Sequence, residues 1–328
     1  MRRQPRLSMR EVAERARVSL GTVSNVVNNP DRVLPETRKR VEDAIKELGW
    51  APNLRAKELR AGRSTTVGLA VMDVANPFFA DVLRGAQMYL EAEGLHAIIG
   101  DADNRLEREA AVLRSFRDQR LAGVILGPIG ALPVEVDLLS NAHIPTVLVD
   151  RSECQEHSTV GVDDVAGGEL AGRHLIERGH TSLAYIGGPM DLAQVRDRLT
   201  GLLRAAEAGG ASVLTIPVES LSFASGRWAA DRFLGPGRPT AAFCANDVLA
   251  IGLQQGLLSQ GIRVPEDVAI VGYDDIDFAA AVSVPLTSVA QPRRELGRAA
   301  AELLLAEIAG EKHRHVVHQP TLVARASS

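Results

Sequence analysis

Apolar positions in the first 50 residues recur every three or four residues, the spacing of helices that bury one face. A first group contains Met9, Val12, Ala13 and Ala16, and a second contains Val23, Val26 and Val27. Ser19 precedes the second group, and its hydroxyl can accept a hydrogen bond from a free N–H at a helix start. Because residues 17–19 form only a short connection, the pattern predicts a helix-turn-helix.

The other face of the second helix is small and largely polar. It presents Leu20, Gly21, Asn25 and Asn28. Such a helix can enter the major groove of DNA, where side chains contact the edges of the bases. Two helices packed in an ordinary bundle show the same periodicity, so the pattern alone leaves both interpretations open.

A third helix and a basic segment follow. Pro35 suits a first helical turn, and Gly49 suits a helix end. The buried stripe of this helix is predicted to contain Val41, Ala44, Ile45 and Leu48. Leu34 occupies the capping position, where it either weakens the helix start or packs as a hydrophobic staple. Residues 53–60 predict one more helix, too short to be stable alone in water, before a linker.

From Thr66 onward, short apolar runs alternate with amphipathic segments, which is typical of a parallel α/β sheet. The first series is Val67–Val71, Leu95–Ile99, Gly123–Leu126 and Thr146–Val149, and the second is Leu183–Ile186, Val213–Ile216, Ala241–Cys244 and Val268–Val271. Two such series predict two similar lobes with a cleft between them. The expected fold is therefore multi-domain, with an all-α helix-turn-helix headpiece and an α/β body of two lobes with parallel sheets.

Charge is unevenly distributed between these regions. Residues 1–63 contain 15 Lys and Arg against 8 Asp and Glu, whereas residues 64–328 contain 22 against 33. A basic head on an acidic body favours binding of a polyanion at the N-terminal end. A solvated basic arm is the alternative, but the apolar stripes throughout the head favour a folded domain.

The overall composition, with 45% hydrophobic and 24% charged residues, is that of an ordinary soluble protein. No apolar stretch is long enough to span a membrane, and the basic N-terminus is not followed by the apolar run of a secretion signal. Cys154 and Cys244 are far apart and show no metal or redox spacing. We therefore expect a cytoplasmic protein with reduced thiols and no membrane partner.

Motifs of catalysis and cofactor binding are absent from the sequence. It contains no phosphate-binding loop with Gly-Lys-Ser/Thr, no G-x-G-x-x-G after a strand and no G-x-S-x-G elbow. His313, His315 and His318 predict a surface strand, because we expect no cysteine or acidic partner beside them to complete a metal site. Asp274, Asp275 and Asp277 lie close together but do not complete a calcium-binding loop. We expect no enzyme activity, metal or cofactor.

Polar side chains follow several predicted strands, at the end where open α/β sheets bind ligands. They are Asp150, Arg151, Asn246, Asp247 and Asp274. Carboxylates, an amide and a guanidinium suit the paired donors and acceptors of a sugar. Local roles are the alternative, since Asp247 could cap the following helix and Asp150 could pair with Arg151.

Eight short motifs occur in a fixed order along the chain. They are Ser8-Met-Arg-Glu-Val-Ala13, Val18-Ser-x-x-Thr-Val-Ser24, Asn28-Asn-Pro-Asp-Arg-Val33, Pro35-Glu-Thr-Arg38, Asn76-Pro-Phe-Phe79, Arg178-Gly-His180, Asn246-Asp247 and Gly272-Tyr-Asp-Asp275. In this order they resemble the lactose-repressor (LacI/GalR) family of bacterial transcription regulators over nearly the whole chain.

The resemblance implies a DNA-binding headpiece over residues 1–63 and a periplasmic-binding-protein-like body over residues 64–328. The implied N-lobe comprises residues 64–161 and 293–318, and the C-lobe comprises residues 162–290 and 319–328. Crossovers between the lobes are expected near 161–163, 290–292 and 318–320.

For DNA, the resemblance places base contacts at Leu20, Gly21 and Asn25, of which Asn25 can bind adenine in bidentate fashion. Further DNA contacts are expected at Ser19, Thr22, Ser24, Asn28 and Arg32. In the family, the segment matching residues 53–60 is a hinge helix that pairs with its twin on DNA and inserts a leucine into the minor groove. The matching residues are Ala56, Lys57, Leu59 and Arg60, with Leu59 as the wedge.

For the effector, the resemblance places contacts in the cleft between the lobes. The expected residues are Phe78, Phe79, Asp150, Arg151, Arg198, Asn246 and Asp274. Two positions depart from the family. Leu221 stands where several members have an aromatic residue, and Asp164 stands where many have asparagine.

These observations predict a homodimeric transcription regulator, most simply a repressor, that binds double-stranded operator DNA. A small polar effector, expected to be a sugar or related metabolite, would change its affinity for DNA. A solute-binding protein would share the body but would not need a basic helix-turn-helix. An enzyme acting on sugars would need a catalytic set, which the sequence lacks.

Overall fold

The computed structural model describes residues 7–50 and 64–328. Contacts divide the chain into two compact units, residues 1–64 and residues 65–328. The predicted hinge segment 53–60, with Ala56, Lys57, Leu59 and Arg60, lies outside the described residues.

The first unit contains three helices, α1 (Met9–Ala16), α2 (Leu20–Asn28) and α3 (Pro35–Leu48), with a 3₁₀ turn at Pro30–Arg32. The carboxylate of Glu11 accepts a hydrogen bond from the backbone N–H of Ser8 over 2.6 Å, which ties down the start of α1. Arg17 then turns the chain in a left-handed conformation, with φ +54°. Ser19 caps α2 as predicted, since its Oγ accepts from the backbone N–H of Thr22 over 3.1 Å.

The core of this unit is formed by the predicted apolar stripes, joined by one aromatic residue. Its buried members are Val12, Ala13, Ala16, Val23, Val26, Val41, Ala44 and Trp50. Trp50 lies beyond the end of α3, where helical periodicity no longer applies, and the sequence pattern did not predict its burial. Leu34 is 76% exposed. The staple interpretation of Leu34 is therefore wrong within the described residues, and the start of α3 has no side-chain cap.

The second unit is an α/β body. Its strands are β1 (Thr66–Val71), β2 (His96–Asp101), β3 (Gly123–Leu126), β4 (Thr146–Val149), β5 (Thr159–Val162), β6 (Ser182–Gly187), β7 (Ser212–Pro217), β8 (Ala241–Cys244), β9 (Ala269–Asp274), β10 (Thr287–Ala290), β11 (His315–His318) and β12 (Thr321–Val323). Its helices are α4 (Pro77–Ala92), α5 (Leu106–Gln119), α6 (Val134–Asn141), α7 (Asp164–Glu177), α8 (Ala193–Gly209), α9 (Phe223–Ala229), α10 (Asp247–Ser259) and α11 (Arg293–Ile308), with 3₁₀ turns at Ala230–Phe233 and Asp277–Ala280.

The strands form two sheets, each of six strands among the described residues. The N-lobe sheet has the order β11-β5-β4-β3-β1-β2, and the C-lobe sheet has the order β12-β10-β9-β8-β6-β7. All pairs are parallel except β10 with β12, which is antiparallel. The eight predicted strands are all present, which confirms the expected fold class.

Four strands lie outside the two predicted series. The runs of β5 and β10 are only four residues long, and they form where the chain leaves one lobe for the other. β11 and β12 are short edge strands with half-exposed side chains. β11 contains His315 and His318 and alternates between exposed and half-buried positions, as expected for a surface strand.

The chain passes between the lobes three times. It leaves the N-lobe sheet after Val162 and returns at residues 291–292, between β10 and α11. It crosses again at residues 319–320, between β11 and β12. In both sheets the strands point their carboxyl ends toward the crossovers, so the loops after β4, β8 and β9 lie at the cleft. Within the described ranges, no helix combines the length and the hydropathy needed to cross a membrane.

Candidate functional site

The headpiece presents the predicted recognition face to solvent. Leu20 is 45% exposed, and Gly21, Asn25 and Asn28 are also exposed. Because Val23 and Val26 anchor the opposite side of α2 in the core, the orientation of this face is fixed. The amide of Asn25 has no hydrogen-bond partner among residues 7–50, so it is free to contact another molecule.

Several of the other predicted DNA contacts already form hydrogen bonds within the headpiece. Ser19 and Thr22 bring their hydroxyl oxygens within 2.9 Å of each other, and Asn28 donates from Nδ2 to the carbonyl oxygen of Ser24 over 2.9 Å. Ser19 and Thr22 lie at the start of α2, Ser24 and Asn28 lie toward its end, and Arg32 is exposed beyond that end. Short hydroxyl and amide groups of this kind suit phosphate contacts, which set the register of a protein on DNA.

In the body, most of the predicted effector residues line one small cavity between the lobes. The predicted residues in its wall are Phe78, Phe79, Asp150, Arg198, Asn246 and Asp274. The wall also contains Met72, Asn76, Gln194 and Leu221. A second cavity shares Met72, Asn76, Phe79 and Leu221 with the first, so the two adjoin.

Arg151 does not line either cavity, in contrast to the prediction. Its guanidinium donates to the carbonyl oxygen of Gly130, in the loop that follows β3. The residue comes directly after Asp150, and successive side chains leave the backbone in different directions. Arg151 therefore holds a neighbouring loop and does not pair with Asp150.

Arg198 is the central charge of the cavity and is only 3% exposed. Its Nε donates to Oδ1 of Asp164 over 2.8 Å, and its Nη1 donates to the carbonyl oxygen of Ala245 over 2.7 Å. Its guanidinium also stacks 3.8 Å above the centre of the Tyr273 ring. Asp164, which the sequence presented as a departure from the family, is thus the ion-pair partner of a predicted ligand residue.

A close helix crossing holds this ion pair in place. α7 begins with Asp164, and α8 carries Arg198. The helices touch at glycines, since a side chain on Gly168 would collide with the carbonyl oxygen of Arg198, and one on Gly201 would collide with that of Val165. The backbones can approach this closely only without Cβ atoms.

Two carboxyl groups approach the cavity from strand ends. Asp150 follows β4 and accepts from Nε2 of Gln194 over 2.9 Å, and Asp274 ends β9 and accepts from Nε2 of Gln291 over 2.7 Å. Burial raises the pKa of Asp150 to about 8 and that of Asp274 to about 7, and the positive charge of Arg198 opposes both shifts. Near neutral pH these groups can therefore donate as well as accept hydrogen bonds.

The backbone at these strand ends is strained. Asp150 has φ +62°, Asp274 has φ +106° and Asp275 has φ +53°. A left-handed conformation costs a non-glycine residue about 1–3 kcal/mol and is concentrated at functional sites. The strain turns the carboxyl groups of Asp150 and Asp274 toward the cavity.

Asn246 contributes an amide at the end of β8. It caps α10, because its Oδ1 accepts from the backbone N–H of Leu249 over 2.9 Å. Its Nδ2 is buried and has no hydrogen-bond partner among the described residues, which leaves a donor for a ligand. The alternative that Asp247 caps this helix is wrong. Asp247 instead accepts from Ser288 over 2.6 Å and from the N–H of Ile276 over 2.8 Å.

The aromatic pair lies at the start of α4. Asn76 caps this helix by accepting from the backbone N–H of Phe78 over 3.0 Å. The rings of Phe78 and Phe79 meet edge to face, with centroids 5.0 Å apart. Both are buried in the N-lobe core and also line the cavity.

Sequence reasoning missed Gln194, although a signal was present. Gln194 and Arg198 are four residues apart on α8 and therefore face the same side of the helix. Met72 and Asn76 come from the loop after β1, where no sequence pattern points to a ligand. The prediction that the histidines lack an acidic partner is also wrong, because His313 lies 2.9 Å from Glu307. That contact depends on the packing of α11 and could not be deduced from local spacing.

Comparisons with known proteins agree with this fold. The family model described as bacterial regulatory proteins, lacI family, matches residues 8–53, and a periplasmic binding protein-like domain matches residues 173–328. The HTH-type transcriptional repressor PurR of Aliivibrio fischeri (strain MJ11) is 34% identical, over 98% of this chain and 98% of its own length.

Two solved structures are similar over their whole length. A transcriptional regulator CelR–cellobiose complex is 33% identical with a TM-score of 0.73, over 98% of this chain and 100% of its own. The lac repressor dimer bound to operator and the anti-inducer ONPF is 26% identical with a TM-score of 0.85, over 98% of each chain. The chain therefore belongs to the LacI family of bacterial regulatory proteins, and it is a DNA-binding transcription regulator rather than an enzyme.

Proposed function

We propose that this chain is a homodimeric, cytoplasmic repressor whose affinity for its operator is set by a small polyhydroxy effector, a sugar or a close relative. Residues 1–63 would bind a near-palindromic operator, and residues 64–328 would bind the effector and the second subunit. The observation that carries the proposal is the convergence of six predicted residues on one interlobe cavity. They are Phe78, Phe79, Asp150, Arg198, Asn246 and Asp274.

The chemistry of the cavity favours a polyol. Asp150 and Asp274 supply carboxyl groups, Asn246 supplies an unpartnered amide donor and Arg198 supplies a guanidinium. Hydroxyl groups both donate and accept, so they can match this mixture. The ring of Phe79 offers an apolar face for the C–H side of a sugar ring.

Effector contacts would come from both lobes, which gives the ligand a way to change their relative position. Phe79 and Asp150 belong to the N-lobe, while Arg198, Asn246 and Asp274 belong to the C-lobe. A ligand that bonds both lobes stabilises one arrangement of them over another. Such coupling between sites is typically about 1–3 kcal/mol. The cellobiose bound by CelR supports a sugar as the class of effector.

For the headpiece, we propose that Asn25 makes the main polar base contact and that Leu20 packs against a thymine methyl group. Gly21 would let the backbone approach the bases closely. Ser19, Thr22, Ser24, Asn28 and Arg32 are proposed for the phosphates. Ala56, Lys57, Leu59 and Arg60 are proposed for the minor groove, by resemblance to the family alone.

Exposed apolar side chains on the body support a homodimer. β2 is an edge strand of the N-lobe sheet, and Ile98 and Ile99 on it are exposed. β7 is the corresponding edge strand of the C-lobe sheet, and Leu214 on it is 50% exposed. Apolar edge strands are normally covered by a partner. The lac repressor was solved as a dimer on its operator, so a second copy of this chain is the partner we propose.

A gel-shift experiment with the full chain tests the proposal. The DNA is a set of fragments from the region upstream of the protein's own gene, and neutral sugars are added one at a time. We expect a specific shift that one of the sugars weakens or strengthens. Sugar binding without any DNA shift would indicate a solute-binding protein instead, and light scattering that shows a monomer at micromolar concentration would refute the dimer.

A further inference from the structure

We propose that Asp164 makes the effector cavity selective for uncharged ligands, because it holds the guanidinium of Arg198 in a buried ion pair. The inference deepens the proposed function, and it rests on that function only in assuming that effectors enter this cavity. It concerns a residue that the sequence presented as a departure from the family. It predicts which chemical class the cavity rejects, namely phosphate esters and sugar acids.

The ion pair is buried on both sides. Asp164 keeps 10% of its side-chain surface exposed, and Arg198 keeps 3%. The 2.8 Å contact between Nε and Oδ1 is a charge-assisted hydrogen bond, the strong kind. A buried guanidinium without a counter-charge is costly and would attract any anion of suitable size. Asp164 supplies inside the protein the negative charge that an anionic ligand would otherwise supply.

The charged groups around the cavity also favour an uncharged ligand over an anion. Arg198 is the one Lys or Arg in the described wall, whereas Asp150 and Asp274 also lie in it. A ligand carboxylate or phosphate would therefore meet a guanidinium that Asp164 has already paired, while the carboxyl groups of Asp150 and Asp274 add no positive charge. A hydroxyl group needs only the remaining N–H donors of Arg198 and the free lone pairs of the carboxyl groups.

The pair cannot easily move aside for an anion. Arg198 is fixed by its bond to Ala245 and by the Tyr273 ring beneath it. Asp164 is fixed as the first residue of α7, whose start Asp163 caps by accepting from the backbone N–H of Ala166 over 2.9 Å. The glycine contacts between α7 and α8 lock the two helices together. The expected selectivity therefore depends on rigid packing of the fold and not on the movement of a side chain.

The test compares the unchanged chain with Asp164→Asn, which keeps the shape and removes the charge. The probes are inorganic phosphate and the matched pair D-ribose and D-ribose 5-phosphate, and binding is measured by calorimetry on the full chain. We expect the unchanged chain to bind phosphate no better in the cavity than a chain carrying Arg198→Met. We expect Asp164→Asn to gain on the order of tenfold in affinity for phosphate and ribose 5-phosphate.

Asp197→Asn is the matched control. It removes the same charge from the residue next to Arg198, but Asp197 makes no hydrogen bond to the guanidinium. Phosphate bound by the basic headpiece is common to all variants and cancels in the comparison. The double variant, Asp164→Asn with Arg198→Met, should lose the increased affinity for phosphate. That result would show that the anion binds at Arg198.

Each outcome decides the proposal. If the unchanged chain binds ribose 5-phosphate more tightly than ribose through Arg198, the proposal is wrong, even if Asp164→Asn fails to fold. If Asp164→Asn and Asp197→Asn gain equally in affinity for phosphate, the effect comes from net charge alone and the proposal is also wrong. If no neutral sugar binds but the phosphate result holds, the sugar effector of the proposed function fails while the role of Asp164 stands.

Discussion

Gln291 donates a hydrogen bond from Nε2 to Oδ1 of Asp274 over 2.7 Å. Asp274 lines the cavity proposed for the effector, and Gln291 lies in the crossover between β10 and α11, where the chain passes from the C-lobe to the N-lobe. Both residues are buried. A ligand that forms a hydrogen bond with the carboxyl group of Asp274 would alter the bond to Gln291. We therefore expect occupancy of the cavity to affect the segment that joins the lobes.

We expect Gln291→Met to uncouple effector binding from the change in operator affinity. The methionine fills a similar volume but cannot donate to Asp274, so a ligand no longer changes the bonding of the crossover. Effector affinity should change by less than about threefold, whereas coupling of about 1–3 kcal/mol should fall toward zero. Calorimetry gives the affinity, and operator binding with and without the effector gives the coupling.

Gln254→Met is the matched control. Gln254 is also buried and donates from Nε2 to the carbonyl oxygen of Val284 over 2.8 Å, but it does not line the cavity. It should cost stability without changing the coupling. A Gln291→Met protein that still responds fully to the effector would exclude this route between the sites.

Asn25→Ala should reduce sequence recognition. The amide of Asn25 is exposed on the recognition face, and a bidentate contact to a base is worth about 1–3 kcal/mol of discrimination. Affinity for the cognate operator should fall by that amount, while affinity for random DNA should stay nearly constant. Competition binding with the two kinds of DNA at one salt concentration measures the difference.

Arg32→Ala serves as the comparison for Asn25→Ala. Arg32 is exposed and proposed for the backbone, so its loss should weaken binding to both DNAs equally and lower the salt dependence. An equal loss on both DNAs with Asn25→Ala would assign Asn25 to the phosphates instead.

The buried carboxyl groups predict that the free chain loses stability as the pH rises above neutrality. Burial raises the pKa of Asp150 to about 8 and of Asp274 to about 7. The folded chain therefore binds more protons than the unfolded chain, and the free energy of unfolding falls as the pH passes through these values. We expect a loss of about 1–3 kcal/mol between pH 6.5 and 8.5, measured by thermal or urea unfolding.

The choice of pH 6.5 as the lower limit avoids a second effect. Burial lowers the pKa of His157, His174 and His180, which destabilises the folded chain only as the pH falls below about 6.5. Asp274→Asn removes one of the titrating carboxyl groups and should flatten the curve above neutrality. Stability that is constant or rising over this range in the unchanged chain would contradict the prediction.

Leu59→Ala should weaken operator binding and reduce DNA bending together, because an apolar wedge that unstacks a base step produces the bend. Leu59→Met keeps an apolar side chain of similar length and should retain much of both. Fluorescence energy transfer across an end-labelled operator measures the bend, and titration of the same DNA measures affinity. If Leu59→Ala bends the operator as much as the unchanged chain does, the wedge role is wrong and residues 53–60 only connect the headpiece to the body.

The sequence by itself determined the fold class and the recognition face. Val23 and Val26 at helical spacing, and Ser19 before them, define α2 and the side it buries, since these signals are local. The eight apolar runs of the body likewise identify strands, because a strand in a parallel sheet is buried on both faces. Asp150, Asn246 and Asp274 could be placed at the cavity because the carboxyl ends of parallel strands meet at one edge.

Only the tertiary structure decided how these side chains are paired. Asp164 and Arg198 are 34 residues apart, and their contact depends on a helix crossing at Gly168 and Gly201 that no local pattern encodes. In the sequence, Arg151 was as plausible a ligand residue as Asp150. In the structure its side chain points away from the cavity and donates to the carbonyl oxygen of Gly130. Such pairings depend on long-range packing, and local propensity and periodicity do not contain that information.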